Sequence, residues 1–229
     1  MRAIYQFGKT RRLMCVSHLD LQRFMQMALR RSALPVAYSQ GFNPHPLLSF
    51  ASALAMGWTS EAELMDIKLA VPLGKAAALE QMRRALPPDL PLRGVRLVED
   101  RFPALMARLY WADYAITLPG PAWDKVAEAV PGFLAEKEVI ALRKTKSGEK
   151  PADIRPMALS LEVTPQGDGY LMRARLQLTE RATLKPDLLL SVLAQRAGAE
   201  LPQDAQVHRT ALLAQDDSGA PVDLFTLKA

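Results

Sequence analysis

The residues whose types and spacing suggest chemistry lie near the start of the chain. His18 and His45 are the two imidazoles there, and brought together they would act as general acid and base. Arg23 and Arg30 are seven residues apart, which on a helix puts both on one face and suits a grip on two successive phosphates or carboxylates. Arg12 and Arg31 flank that pair, and Ser17 opens the helix that would carry it. Tyr38 and Phe42 offer flat rings for stacking on unpaired bases, with the Asn43 amide beside them. A plainer reading accompanies each residue. Ser17 and Asp20 cap a helix, each histidine bonds to backbone, and Gly41, Pro44 and Pro46 fix a turn with Phe42 in the core. For either histidine alone the plainer reading is preferred. For the segment as a whole a binding surface is preferred, because its polar and basic groups exceed what the fold needs.

The charge distribution points the same way. The first fifty residues hold Arg2, Lys9, Arg11, Arg12, Arg23, Arg30 and Arg31 against Asp20 alone, so the whole of the net +5 lies there. An asymmetry of this kind suits an anionic partner. A second basic stretch, Arg143 to Lys150, contains Lys144 and Lys146; Ser147 and Gly148 suit a turn, which makes this an exposed hairpin or loop able to touch a nucleic acid backbone.

Other classes are excluded. No apolar run reaches the ~18 residues of a membrane span, and the alternating start lacks the apolar core of a signal peptide. Cys15 is the single cysteine, so this chain forms no internal disulfide and supplies no cysteine-ligated zinc or iron–sulfur site. The expected compartment is the cytoplasm. Histidines at 18, 45 and 208 are too scattered for a metal site, and no phosphate-binding glycine loop, dinucleotide fingerprint or HExxH is present.

These residues must be positioned by a framework, and the periodicities supply one. Residues 2–8 alternate as a strand, 13–16 continue extended, and 17–32 repeat as a helix stopped by Pro35. Extended structure over 47–54, a strand over 62–71, a helix over 73–86 and a strand over 92–98 complete a βαββαβ order. After a short helix at 102–110 the order recurs: a strand at 112–118, a helix at 122–136, a strand at 139–144, a hairpin of 157–163 with 170–178, a helix at 186–197 and a strand at 207–213. The fold class predicted is α+β, two ferredoxin-like lobes in tandem, the second with an added strand. The lobes span 1–98 and 112–214, joined by a linker at 99–111, with a mobile tail over 215–229.

The run Ser17-His-Leu-Asp20, Arg30-Arg31, Leu34-Pro-Val-Ala-Tyr38, Gly41-Phe-Asn-Pro-His-Pro46 and Ser49-Phe50 resembles the bacterial radical-SAM-linked proteins of unknown function. Gly57, Ser60-Glu-Ala-Glu63 and Asp66 fit that family too, as do Asp153-Ile-Arg155 and Lys185-Pro186 more loosely. The resemblance is dense over residues 1–70. It implies a small partner encoded beside, or fused to, a radical S-adenosylmethionine enzyme that often has a cobalamin-binding region. The partner would carry the iron–sulfur cluster, S-adenosylmethionine and cobalamin; this chain would hold no cofactor. In its two-lobe architecture alone the chain also resembles the CRISPR repeat-processing nucleases, which cleave RNA without metal and commonly use a histidine.

The expectation is therefore a chain that does not catalyse by itself, but binds RNA or another anionic substrate through its N-terminal lobe for a radical SAM protein. The residues expected to do so are Arg12, Ser17, His18, Arg23, Arg30, Arg31, Tyr38, Phe42, Asn43, His45, Lys144 and Lys146. One alternative is a metal-independent endoribonuclease using His18 or His45. The other is a subunit that only docks an acidic protein.

Overall fold

The structure, a computed structural model, describes residues 1–145 and 148–228. They fall into two compact units, one of residues 1–109 with the chain from 211 onward, the other of residues 110–210. The chain is mixed α+β, with mostly antiparallel strands and few helices.

The first unit begins with β1 (Arg2–Lys9) and a 3-10 turn (Arg11–Leu13), and the turn runs on into residues 13–16, where extended backbone was expected. Helix α1 (His18–Arg31) follows. The Ser17 Oγ accepts the Asp20 N–H at 3.2 Å, which satisfies one orphan donor of the first turn. The return arm differs from a full capping box: the Ser17 hydroxyl donates to the shorter Asp20 carboxylate at 2.7 Å. Leu21, Met25, Ala28 and Leu29 recur at helical spacing and are buried. The unit continues with β2 (Leu48–Phe50), shorter than the extended stretch expected, then β3 (Thr59–Lys68), α2 (Lys75–Ala85), β4 (Leu92–Val98) and the one-turn α3 (Leu105–Arg108).

Its strands run in the order β4-β1-β3-β2, each neighbouring pair antiparallel. Ala3, Tyr5 and Phe7 of β1 pack with Met65 and Ile67 of β3 against Leu21, Met25 and Leu29 of α1 and Ala78 and Met82 of α2. Strand side chains alternate, so α1 and α2 cover one face while Arg2, Ile4, Asp66 and Lys68 lie on the other.

The second unit holds β5 (Leu109–Leu118), α4 (Asp124–Ala135), β6 (Ile140–Thr145), β7 (Gly148–Asp153), β8 (Ala158–Gln166), β9 (Gly169–Gln177), α5 (Pro186–Arg196) and β10 (Gln206–Gln215). The order is β10-β5-β9-β8, and the division between units falls inside β10. Residues 139–144 were expected to join this sheet. Instead β6 pairs with β7 in a two-stranded sheet of its own, so the addition to this unit is a hairpin inserted between α4 and β8. Gly198, at φ 59°, adopts the left-handed conformation that ends α5.

The C-terminal residues are held in place, not loose. A last strand, β11 (Pro221–Asp223), pairs with the end of β10. Leu224 is fully buried, and Arg96 of β4 donates to the Phe225 carbonyl at 3.0 Å and to that of Leu227. Two apolar side chains after a polar run suffice to anchor this end.

Candidate functional site

Helix α1 turns its polar side outward, but its arginines are not equivalent. Arg23 donates to Asp20 at 3.1 Å, an exposed pair that partly neutralises it. Arg30 and Arg31 are exposed, with no ion pair among the described residues. Both also lie in the last turn, where cations complement the helix dipole. Arg12, next to the 3-10 turn, is exposed and 3.9 Å from Asp89.

The connection after α1 builds a small, firmly tied loop. Tyr38 bridges Pro46, the Ser39 N–H donates to the His45 carbonyl at 2.9 Å, and the Leu47 N–H donates to Ala37 at 2.8 Å. The base is sewn to β3: Ala37 donates to the Lys68 carbonyl at 2.8 Å and Lys68 donates to Leu47 at 3.0 Å. Across the loop, Ser39 Oγ lies 2.9 Å from His45 Nδ1 and accepts the His45 N–H at 3.1 Å. At the tip Gly41 adopts φ 121°, a conformation that other residues rarely reach. Phe42 beside it is 107% exposed, so it is no core residue. Asn43 is exposed and Tyr38 partly so.

The two histidines have different surroundings. His18 presents an edge-on contact to Phe50 of β2, ring centroids 5.1 Å apart at 76°. His45 lines a cleft of about 310 Å³ together with Arg2, Pro46, Leu47, Leu48, Ser49, Asp66, Lys68 and Ala104. The cleft lies on the sheet face that α1 does not cover. The α1 arginines and the His45 cleft are thus separated by the sheet, not two walls of one site.

Arg2, Ser49, Asp66 and Lys68 were not singled out as binding residues. Arg2 is fully engaged: Nε donates to both Asp66 oxygens at 3.1 Å, Nη2 to Asp66 and Pro103, and Nη1 to the carbonyls of Phe102 and Asp100. The bond with the Asp66 carboxylate raises the Arg2 pKa further above its ordinary value. The reason emerges only from the β1–β3 register: Arg2 stands directly opposite Lys68, and two facing cations need a carboxylate nearby. Lys68 is exposed, with no hydrogen bond or ion pair of its side chain among the described residues.

Other polar residues of the quoted run serve the framework. Lys9, Ser60 and Glu63 are buried together at one end of β1 and β3. The Lys9 ammonium donates to the carbonyls of Met14 at 3.2 Å and Val16 at 2.8 Å, which fixes the entry to α1. Burial lowers its pKa, and the attraction of Glu63 opposes that. Asp153 accepts the N–H groups of Val139 and Arg155, while Arg155 donates to the carbonyls of Leu134 and Ala158 and so caps the end of α4. Lys144 is described as a backbone position of β6, opposite Glu149; Lys146 lies outside the described residues. No group of three or more potential metal ligands occurs among the described residues, and no helix among them is long and apolar enough to cross a membrane.

Residues 2–186 match a family described as "Uncharacterized protein conserved in bacteria (DUF2344)". No curated protein matches the sequence. Among solved structures, the fold is similar to a chain of a Cbf5-Nop10-Gar1 complex at 12% identity and a TM-score of 0.53. The likeness covers 92% of this chain and 48% of that one, so this chain spans about half the other's length. It supports the mixed α+β class. An unknown protein from Galdieria sulphuraria aligns over 91% of this chain and 97% of its own, at 15% identity and a TM-score of 0.25.

Proposed function

The chain belongs to the bacterial family DUF2344, and from that premise and the geometry above we propose that it is a non-catalytic accessory protein that binds single-stranded RNA for a radical SAM enzyme. The observation that carries the RNA reading is Phe42. An aromatic ring wholly in solvent, at the tip of a loop tied down by backbone and Ser39–His45 bonds, has no packing role and is held ready to stack on a base. The same loop brings His45 to the cleft beside the exposed Lys68. Arg30 and Arg31 add positive charge on the other face, where a longer strand would be held through its phosphates.

The partnership with a radical SAM enzyme rests on the resemblance of residues 1–70, and the partner would bring the cluster, S-adenosylmethionine and cobalamin. The order β4-β1-β3-β2 in one unit and β10-β5-β9-β8 in the other supports reading both as ferredoxin-like. A cytoplasmic site agrees with a lone, exposed thiol at Cys15.

The test is fluorescence anisotropy with a mixed-sequence single-stranded RNA, in EDTA, over a salt series. Wild type binds and leaves the RNA intact. Phe42→Ala weakens binding about tenfold, the loss of one stacked base. Absence of binding, or no effect of Phe42→Ala, rules the reading out. Cleavage by the chain alone that disappears in His45→Ala would replace it with the endoribonuclease reading.

A further inference from the structure

The cleft on the uncovered face of the first unit has a fixed wall and a set of unused donors, and the two have different origins. The wall is made by Arg2. Its guanidinium holds Asp66 of β3 on one side and the carbonyls of Asp100, Phe102 and Pro103 on the other, lying over the Phe102 ring at 6.0 Å. This clamps the segment leading to Ala104 beside the strands. Arg2 is spent on that task, and its charge is matched by Asp66; the two side chains are 15% and 6% exposed.

The unused donors come from β2, β3 and the loop. Ser49 stands directly opposite Asp66 in the β2–β3 register, so Lys68 is its diagonal neighbour on the same face. A diagonal pair is within reach of a lysine side chain. The Ser49 hydroxyl, like the Lys68 ammonium, makes no hydrogen bond or ion pair among the described residues. His45 completes the set: Nδ1 is held by Ser39, and the other ring nitrogen has no such bond among the described residues.

We infer that this cleft seats a phosphate monoester, held by Lys68, Ser49 and His45. A terminal phosphate offers three free oxygens, and three donors converge here. A lysine supplies the charge, as it commonly does for phosphate. The volume of about 310 Å³ lies at the small end of ligand pockets and fits one terminal nucleotide or a small phosphorylated molecule. A phosphodiester within a strand has only two free oxygens and carries chain on both sides. The inference deepens the RNA-binding reading, because it makes the strand end the part recognised in the cleft.

The experiment compares three otherwise identical RNA oligonucleotides, with a 5′-phosphate, a 3′-phosphate or no terminal phosphate. In parallel, the His45 ring resonances are followed by NMR as inorganic phosphate or a mononucleotide is added. One of the phosphorylated strands binds about tenfold tighter than the hydroxyl strand, the worth of a charge-assisted contact. Lys68→Ala and Ser49→Ala reduce that preference, and circular dichroism verifies that both fold. Inorganic phosphate moves the His45 signals in wild type and not in Lys68→Ala. A response to the mononucleotide with no preference among the strands assigns the seat to a free phosphorylated molecule.

Equal binding of all three strands, with His45 unmoved by phosphate and mononucleotide, overturns the inference and leaves RNA binding through Phe42 standing. No strand bound at all, with a Lys68-dependent response of His45 to phosphate, does the reverse.

Discussion

Each unit carries an arginine–aspartate pair on the uncovered face of its strands, and each pair lines a cleft. In the first unit it is Arg2 with Asp66, in the second Arg175 with Asp113, joined by two bonds of 2.7 Å. Around the second pair, in a cleft of about 280 Å³, the charges are balanced: Arg173 stands directly opposite Glu162 in the β8–β9 register. Around the first pair they are not, because Lys68 faces Arg2, and these two cations and the N-terminal ammonium share only Asp66 and Asp100. The same structural device leaves one cleft neutral and the other cationic. What separates them is one cation in excess around Lys68, with His45 and Ser49 beside it.

The largest effect expected is on stability. Arg2 is almost buried, and Arg2→Ala strands Asp66 without a partner and releases the 100–103 carbonyls, a loss of roughly 3–5 kcal/mol. Arg175 and Asp113 are about a third and a quarter exposed, so Arg175→Ala loses about 1 kcal/mol after solvent screening. Urea denaturation measures both. Equal losses would mean that the two pairs do not differ in burial as drawn.

A second contrast concerns the cation that ties loops together inside each unit. In the first it is Lys9, on the Met14 and Val16 carbonyls; in the second it is Arg155, on those of Leu134 and Ala158. Arginine stays charged throughout, but Lys9 titrates. Its folded-state pKa is lowered by burial, so between that value and the unfolded value near 10.4 the unfolded chain binds a proton the native state has released. Stability from this group therefore rises with pH across that window and is flat above it. Tyr5 works against this: burial raises its pKa, and stability falls once the unfolded phenol ionises above about pH 10. The difference between wild type and Lys9→Met isolates the lysine. At pH 7 the variant is less stable by about 2 kcal/mol, since two carbonyls lose their donor. Towards pH 10 the gap between wild type and Lys9→Met widens, whereas that between wild type and Arg155→Met stays level. A level gap for both would dismiss the assignment.

Much of the framework was legible in the sequence. The Ser17 cap, the helical repeat of Leu21, Met25 and Leu29 and the hairpin of β8 with β9 are local patterns and emerged where expected. The faces were not legible. β3 is buried continuously from Ala62 to Ile67, so the alternation that would put Asp66 and Lys68 opposite α1 is hidden in the residue types. That is why Arg23 and Arg30 looked like one site with His45 when the sheet lies between. Phe42 has the composition of a core residue, and only the pairing of Tyr38 with Pro46 makes it a loop tip. The C-terminal residues looked mobile because their anchors, Gly94 and Arg96, are more than a hundred residues away.

The two basic faces of the first unit can be ranked by salt. Lys68→Ala removes an exposed cation that has no ion pair among the described residues, and the slope of log K against log salt for a single strand falls by about 0.7. Arg23→Ala with Arg30→Ala removes two cations, but Arg23 is already paired with Asp20 and both lie across the sheet from the cleft. The double variant lowers the slope by about as much as Lys68→Ala, not twice as much. A full double loss would make the α1 face the principal strand contact and the cleft an accessory to it.

The smallest effect expected is a gain, and it acts on the neutral cleft. Glu162→Gln leaves Arg173 without the carboxylate it faces, with Ser160 and Thr210 as hydroxyl neighbours and Arg175 still neutralised by Asp113. That reproduces the charge arrangement around Lys68. The pair is exposed, where one charge–charge contact is worth about 1 kcal/mol, so affinity for a mononucleotide in the second unit rises by about fivefold at most. Stability stays within about 0.5 kcal/mol of wild type, as for other exposed positions. Binding is read in a Lys68→Ala background, which silences the first cleft. A measurable gain means that an uncompensated cation is what makes such a cleft bind phosphate. No gain means that charge alone is insufficient, and that the first cleft owes its selectivity to His45, placed by the tied loop, which has no counterpart among the side chains lining the second.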